Sequence, residues 1–93
     1  MKRVTAAERK HYDRVARLGC IVCRLQGMAS RPEIHHLRTG AGAGMRSRNV
    51  IPLCPLHHRT GGYGVAIHAG REKWESEHGT ELELLDEVGK MLG

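Results

Sequence analysis

The chain has 93 residues with three cysteines, one Trp, two Tyr, no Phe and twelve Gly, and its 15 Lys and Arg against 10 Asp and Glu give a formal charge of +5. So small a domain with so few large apolar side chains leaves little margin for a core alone, and a bound metal or cross-link is expected to contribute. An odd cysteine count excludes complete disulfide pairing, and no apolar run approaches the roughly twenty residues of a membrane span, so a soluble protein of a reducing compartment is expected, with metal as the better use of the thiols.

In chain order, Thr5-Ala6-Ala7-Glu8 has capping-box spacing and Val4 is placed to staple it, which predicts a helix over about 5–18 ended by Gly19. Cys20 and Cys23 then fall in a tight turn. Residues 24–33 read as loop, with a short helical turn near 24–28. Ile34-His35-His36-Leu37 is a short strand, followed by the glycine run Thr39 to Gly44. That run is no P-loop, because no Gly-Lys-Ser/Thr follows it, and it reads as a flexible loop near a substrate backbone. Asn49 to Leu53 is a second strand, with Pro52 marking an edge or strand end. A helix is expected from Cys54, with Pro55 in its first turn and Gly61-Gly62 as its stop.

Residues 70–78 and 80–92 read as two further helices, the second opened by the capping box Thr80 to Glu83. Trp74, Leu84, Leu85, Val88 and Leu92 form their apolar face at helical spacing, and the tail acids, Glu72, Glu75 and Glu77 among them, read as a solvated face. His11 and His78 are expected at the surface. The whole is one α+β domain, residues 1–93. Its core, residues 34–62, runs strand, loop, strand, helix, with metal ligands at the second strand-to-helix junction, a ββα-metal order flanked by helices at both ends.

The pairs Cys20-x-x-Cys23 and Cys54-x-x-His57 have the spacing of a tetrahedral zinc site, each curling around the ion as a zinc knuckle. These residues are the expected structural ligands, and binding there contributes directly to folding free energy. His58 follows His57, and on a helix adjacent side chains diverge by about 100°, so His58 belongs to a second site. His35 and His36 are placed to approach it.

Charge is uneven: residues 1–19 carry six basic and two acidic groups, residues 20–70 six and one, and residues 71–93 three and seven. The middle segment is basic through arginine alone, and the guanidinium fork matches phosphate oxygens, so nucleic acid is the expected partner. Arg38, Arg46, Arg48 and Arg59 are the candidate phosphate contacts.

His36, Asn49 and His58 resemble the signature of HNH, or His-Me finger, endonucleases, and Asn49-Val-Ile-Pro-Leu-Cys54-Pro-Leu-His57-His58 has that family's spacing. The stretches Ile34 to Gly40, Ile51 to His58 and Gly64 to Gly70 with Trp74 are similar to the nuclease domain of the Ref family, phage recombination-enhancement, RecA-dependent nucleases. The resemblance runs from about Tyr12 to the C-terminus. It implies a DNA endonuclease in the cytoplasm of a bacterial host, phage or prophage encoded, with a RecA filament as partner. It also implies His36 as general base, and His35 and His58 as ligands of one divalent ion, Mg, Mn or Zn, at the scissile phosphate. Products would carry a 5′-phosphate and a 3′-hydroxyl, and Asn49 would brace the loop so that His36 faces the phosphate.

His35 stands where many HNH enzymes have Asp, and an imidazole-rich site favours Zn, Mn, Ni or Co over Mg. Neighbours on a regular strand point to opposite faces, so His35 and His36 converge on one phosphate only if the strand ends or bulges there. His68 is a further candidate ligand, balanced against a structural role in its Gly-rich loop. A rival from another class is a non-catalytic zinc-stabilised module that binds nucleic acid or protein, which would have no use for an unligated base at His36.

Overall fold

A computed structural model describes residues 4–37 and 49–93. The glycine run and the candidate phosphate contacts Arg38, Arg46 and Arg48 lie outside the described residues. Helix α1 (Ala6–Ala16) begins at a closed capping box: Thr5 Oγ1 accepts from the Glu8 amide at 3.0 Å, and Glu8 Oε1 accepts from the Thr5 amide at 2.8 Å. Both donors would otherwise be left open by the helix geometry. Helix α2 (Ile21–Leu25) starts inside the first cysteine pair, with Cys20 as its N-cap residue and Cys23 within it, so helix replaces the turn expected there.

Among the described residues two strands, β1 (Glu33–His36) and β2 (Val50–Leu53), pair antiparallel, with Glu33 opposite Leu53 and His36 opposite Val50. The Leu37 amide donates to the Asn49 carbonyl at 3.0 Å, which extends the ladder by one pair. Antiparallel pairs alternate between bonded and non-bonded, so Pro52, opposite Ile34, falls at a non-bonded position where its missing N–H costs nothing. All of β2 is buried, with α1, α2 and α4 packed against it.

After β2 the chain forms a π turn over Leu56–Thr60 in place of the expected α-helix, closed by the Gly61 amide on the Leu56 carbonyl at 3.0 Å. Glycine is required at its end, because a Cβ on Gly61 would stand 2.5 Å from the Leu56 oxygen and 2.5 Å from Val65 Cγ1. A 3-10 turn (Ile67–Ala69) leads into α3 (Arg71–His78), and Gly70 joins them at φ +113°. Helix α4 (Glu81–Leu92) opens at a second closed capping box, Thr80 with Glu83.

Val15, Ile21, Val22, Val50, Ile51, Leu53, Ile67, Trp74, Leu84 and Val88 make one buried core, with Leu85 and Leu92 packed at its margin. Trp74 is its largest fully buried side chain. Truncating such a residue leaves a cavity as well as losing transfer free energy. Trp74→Ala is therefore expected to cost about 3–5 kcal/mol, a large share of the roughly 5–15 kcal/mol that holds a small domain folded, as read by urea denaturation. A loss below about 1 kcal/mol would show that Trp74 is not central to the core.

Candidate metal centre and active site

The two cysteine and histidine pairs meet as their spacing predicts. Cys20, Cys23, Cys54 and His57 bring their ligand atoms within 4.8 Å of one another, with the three cysteines buried and His57 8% exposed. Cys23 Sγ lies 3.9 Å from Cys54 Sγ, while His57 Nδ1 lies 3.6 Å from Cys20 Sγ, 3.6 Å from Cys23 Sγ and 3.2 Å from Cys54 Sγ. No disulfide forms, as all three thiols are free. With Zn–S near 2.3 Å and Zn–N near 2.05 Å, a tetrahedron has S···S edges of about 3.8 Å and S···N edges of about 3.6 Å. The observed edges fit those of a Cys3His zinc site.

Burial pushes the Cys20 thiol up to about 11. Burial also holds His57 below the ordinary imidazole range, helped by the neighbouring His78, which keeps its ring neutral as a ligand must be. His78 is not a free surface residue: its ring stands edge-on to His57 at 5.6 Å and to Trp74 at 5.1 Å.

A second group forms from His35 on β1, His58 on the π turn and His68 on the 3-10 turn, whose ligand atoms also lie within 4.8 Å of one another. His58 Nε2 and His68 Nε2 are 3.0 Å apart, and the His35 ring stands 5.1 Å from that of His58 and 5.2 Å from that of His68. Each of two rings is held from behind by a carboxylate. Glu33 Oε1 meets His58 Nδ1 at 2.8 Å, and Glu81 Oε2 meets His35 Nε2 at 2.5 Å.

The carboxylates are themselves held by arginines. Arg59 grips Glu33 with a forked pair of bonds, Nε to Oε1 at 2.9 Å and Nη2 to Oε2 at 2.6 Å, and Arg71 Nη2 meets Glu81 Oε1 at 2.6 Å. The guanidinium of Arg59, with His58, holds the Glu33 carboxyl down at about 2. His35 lies below the ordinary imidazole range because burial outweighs the raising effect of Glu81, with the like charges of His58 and His68 adding to the depression. Three convergent imidazoles, two of them with a carboxylate on the far nitrogen, make a donor set that could hold a transition-metal ion.

His36 is not in this group. The strand stays regular through the His36–Val50 pair, so His35 turns inward while His36 is exposed on the other face. There its Nε2 lies 3.3 Å from the Tyr12 hydroxyl, with the rings edge-on at 5.7 Å. Asn49 contributes its backbone carbonyl to the ladder beyond His36. Arg59, a candidate phosphate contact, is engaged by Glu33.

Glu33, Glu81, Arg71 and Tyr12 were not singled out by sequence. Glu33 reads as loop, yet it stands two residues before His35 and so shares its strand face. Glu81 belongs to the tail acids that read as a solvated face, but it is 1% exposed. The signal was present: Glu81, Leu84 and Val88 share one helical face, so the apolar stripe extended backwards lands on a carboxylate. Glu75, another of those acids, accepts from the Glu81 amide at 3.0 Å and is only partly exposed.

Zinc must displace a proton from Cys20, so retention should weaken as pH falls. Lowering the pH from about 8 to about 6 is expected to increase zinc transfer to a chromophoric chelator, and stripping the ion should abolish the cooperative thermal transition. A stripped chain that melts with unchanged midpoint would show the cluster to be dispensable.

Among the described residues no helix is long and apolar enough to cross a membrane. No curated protein matches the chain. The family model for recombination enhancement, RecA-dependent nuclease matches residues 4–93, spanning both side-chain clusters. The chain belongs to the family of RecA-dependent nucleases of recombination enhancement.

Proposed function

We propose that the chain is a metal-dependent DNA endonuclease of the HNH, ββα-metal type. It would hold structural zinc in Cys20, Cys23, Cys54 and His57 and one divalent ion in His35, His58 and His68. The observation that carries this reading is the convergence of three imidazoles from three separate elements, two of them braced by carboxylates. When bound, the ion supplies charge stabilisation at the scissile phosphate and the leaving 3′-oxygen. The all-imidazole donor set favours Zn, Mn, Co or Ni over Mg.

His36 takes the proton of the attacking water. It stands on the open face of β1, one residue from His35 and on the opposite side of the strand, so its action on a phosphate at the ion requires the strand end to turn when DNA binds. Tyr12 occupies Nε2, which leaves Nδ1 for the proton when the phenol accepts from Nε2–H. Asn49 steadies the strand end beyond His36 rather than reacting.

Arg38, Arg46 and Arg48 would supply phosphate contacts, while Arg59 would serve through Glu33 and His58 more than through DNA. The family description supports a RecA filament as the partner. We place the activity in phage-encoded recombination within a bacterial host.

The test is cleavage of plasmid and single-stranded DNA with Mg, Mn or Zn, with and without RecA and ATP. His36→Ala is expected to slow cleavage by about 100-fold or more while the fold is retained, since a general base contributes about that much. Cleavage should also fall steeply with salt, as phosphate contacts release counterions. Equal rates for wild type and His36→Ala, or no cleavage by the wild type under any of these conditions, would overturn the catalytic assignment.

A further inference from the structure

Among the described residues Glu81 is the one carboxylate in the buried set. It is a carboxylate on the first turn of α4, 1% exposed, with no direct place in the steps described above. Burying a carboxylate is unfavourable unless it is paired and hydrogen-bonded. It is paired on both oxygens, Oε2 with His35 Nε2 and Oε1 with Arg71 Nη2, and its own amide is held by Glu75 Oε2. These partners come from β1 and α3, so one buried carboxylate joins three elements beside the three imidazoles.

A cavity of about 190 Å³ opens at this point, lined by His35, Ile67, His68, Arg71 and Glu81. A hydrogen bond from His35 Nε2–H to a carboxylate fixes the ring as the Nε2–H tautomer, with its remaining lone pair on Nδ1. Across the site Glu33 engages His58 at Nδ1 and leaves Nε2, the opposite choice. A carboxylate behind a ligating imidazole sets its orientation and raises its basicity.

We propose that Glu81, clamped by Arg71, is a positioning residue for the ion site, obliging His35 to bind through Nδ1 while His58 binds through Nε2. The proposal rests on the reading of His35, His58 and His68 as ligands. It assigns to the acidic C-terminal helix a part in metal affinity that a purely packing role for α4 lacks. A structural link between α4 and β1 would predict lost stability without any effect on which nitrogen binds the ion.

The test uses the full chain with its Cys3His site filled by zinc, titrated with Co(II) and followed by visible absorption. A thiolate-free site is recognised by bands without thiolate-to-cobalt charge transfer. Glu81→Gln keeps the shape but removes the charge, and is expected to weaken Co(II) binding about 10–100-fold with zinc content and far-ultraviolet dichroism unchanged. Unchanged Co(II) affinity in folded Glu81→Gln would overturn the proposal.

Should Glu81→Gln fail to fold, imidazole nitrogen resonances of the wild type loaded with a diamagnetic ion decide. A metal-shifted Nδ1 on His35 supports the proposal, and a metal-shifted Nε2 overturns it. If the wild type binds no thiolate-free Co(II), the reading of the three histidines as an ion site fails first. That result is distinct from a wild type that binds and a Glu81→Gln that binds equally well.

Discussion

The sulfurs of Cys23 and Cys54, 31 residues apart in sequence, stand 3.9 Å from each other in the interior, and that meeting ties α2 to the end of β2, from which the turn carrying His57 and His58 begins. Helix α2 and its N-cap bring two thiols and the end of β2 with its π turn brings a thiol and an imidazole. Small domains with thin cores gain stability from such a knot, because binding free energy at a site absent from the unfolded chain is folding free energy. The knot also fixes direction. With His57 committed to it, His58 is turned towards Glu33 and His68.

Both capping boxes were legible because a cap is local chemistry: Thr5 with Glu8 and Thr80 with Glu83 need only three-residue spacing and a following helix. The metal pairs were legible for a similar reason, since each is a short motif whose only long-range requirement is to meet the other. The π turn was not, because Pro55 and the Gly61-Gly62 stop fit an α-helix of that length equally well, and residue spacing does not reveal that Gly61 closes on Leu56 rather than His57. The geometric difficulty at His35 and His36 was visible from strand alternation, and the structure keeps it: the strand remains regular and the two rings part. Glu33 and Glu81 are not legible from composition, because a charged residue reads as exposed unless its face is traced residue by residue.

Charge is arranged in layers around the three imidazoles. Histidines stand innermost, carboxylates behind two of them, and arginines behind the carboxylates, so each sign is faced by its opposite. This order explains how a chain with an acidic tail and a basic middle uses both. The tail supplies Glu81 inward while most of its other acids, such as Glu72, Glu77 and Asp86, remain exposed. Arg59 illustrates the cost of reading charge from composition: it sits in the basic segment, yet its fork is already filled by Glu33.

His57 and His58 are consecutive residues on one five-residue turn, one facing the sulfur cluster and the other the imidazole cluster. Because one short turn carries both rings, any shift of His57 within the sulfur cluster is passed directly to His58 opposite His35. The two clusters are thereby mechanically linked, through two adjacent letters of the sequence.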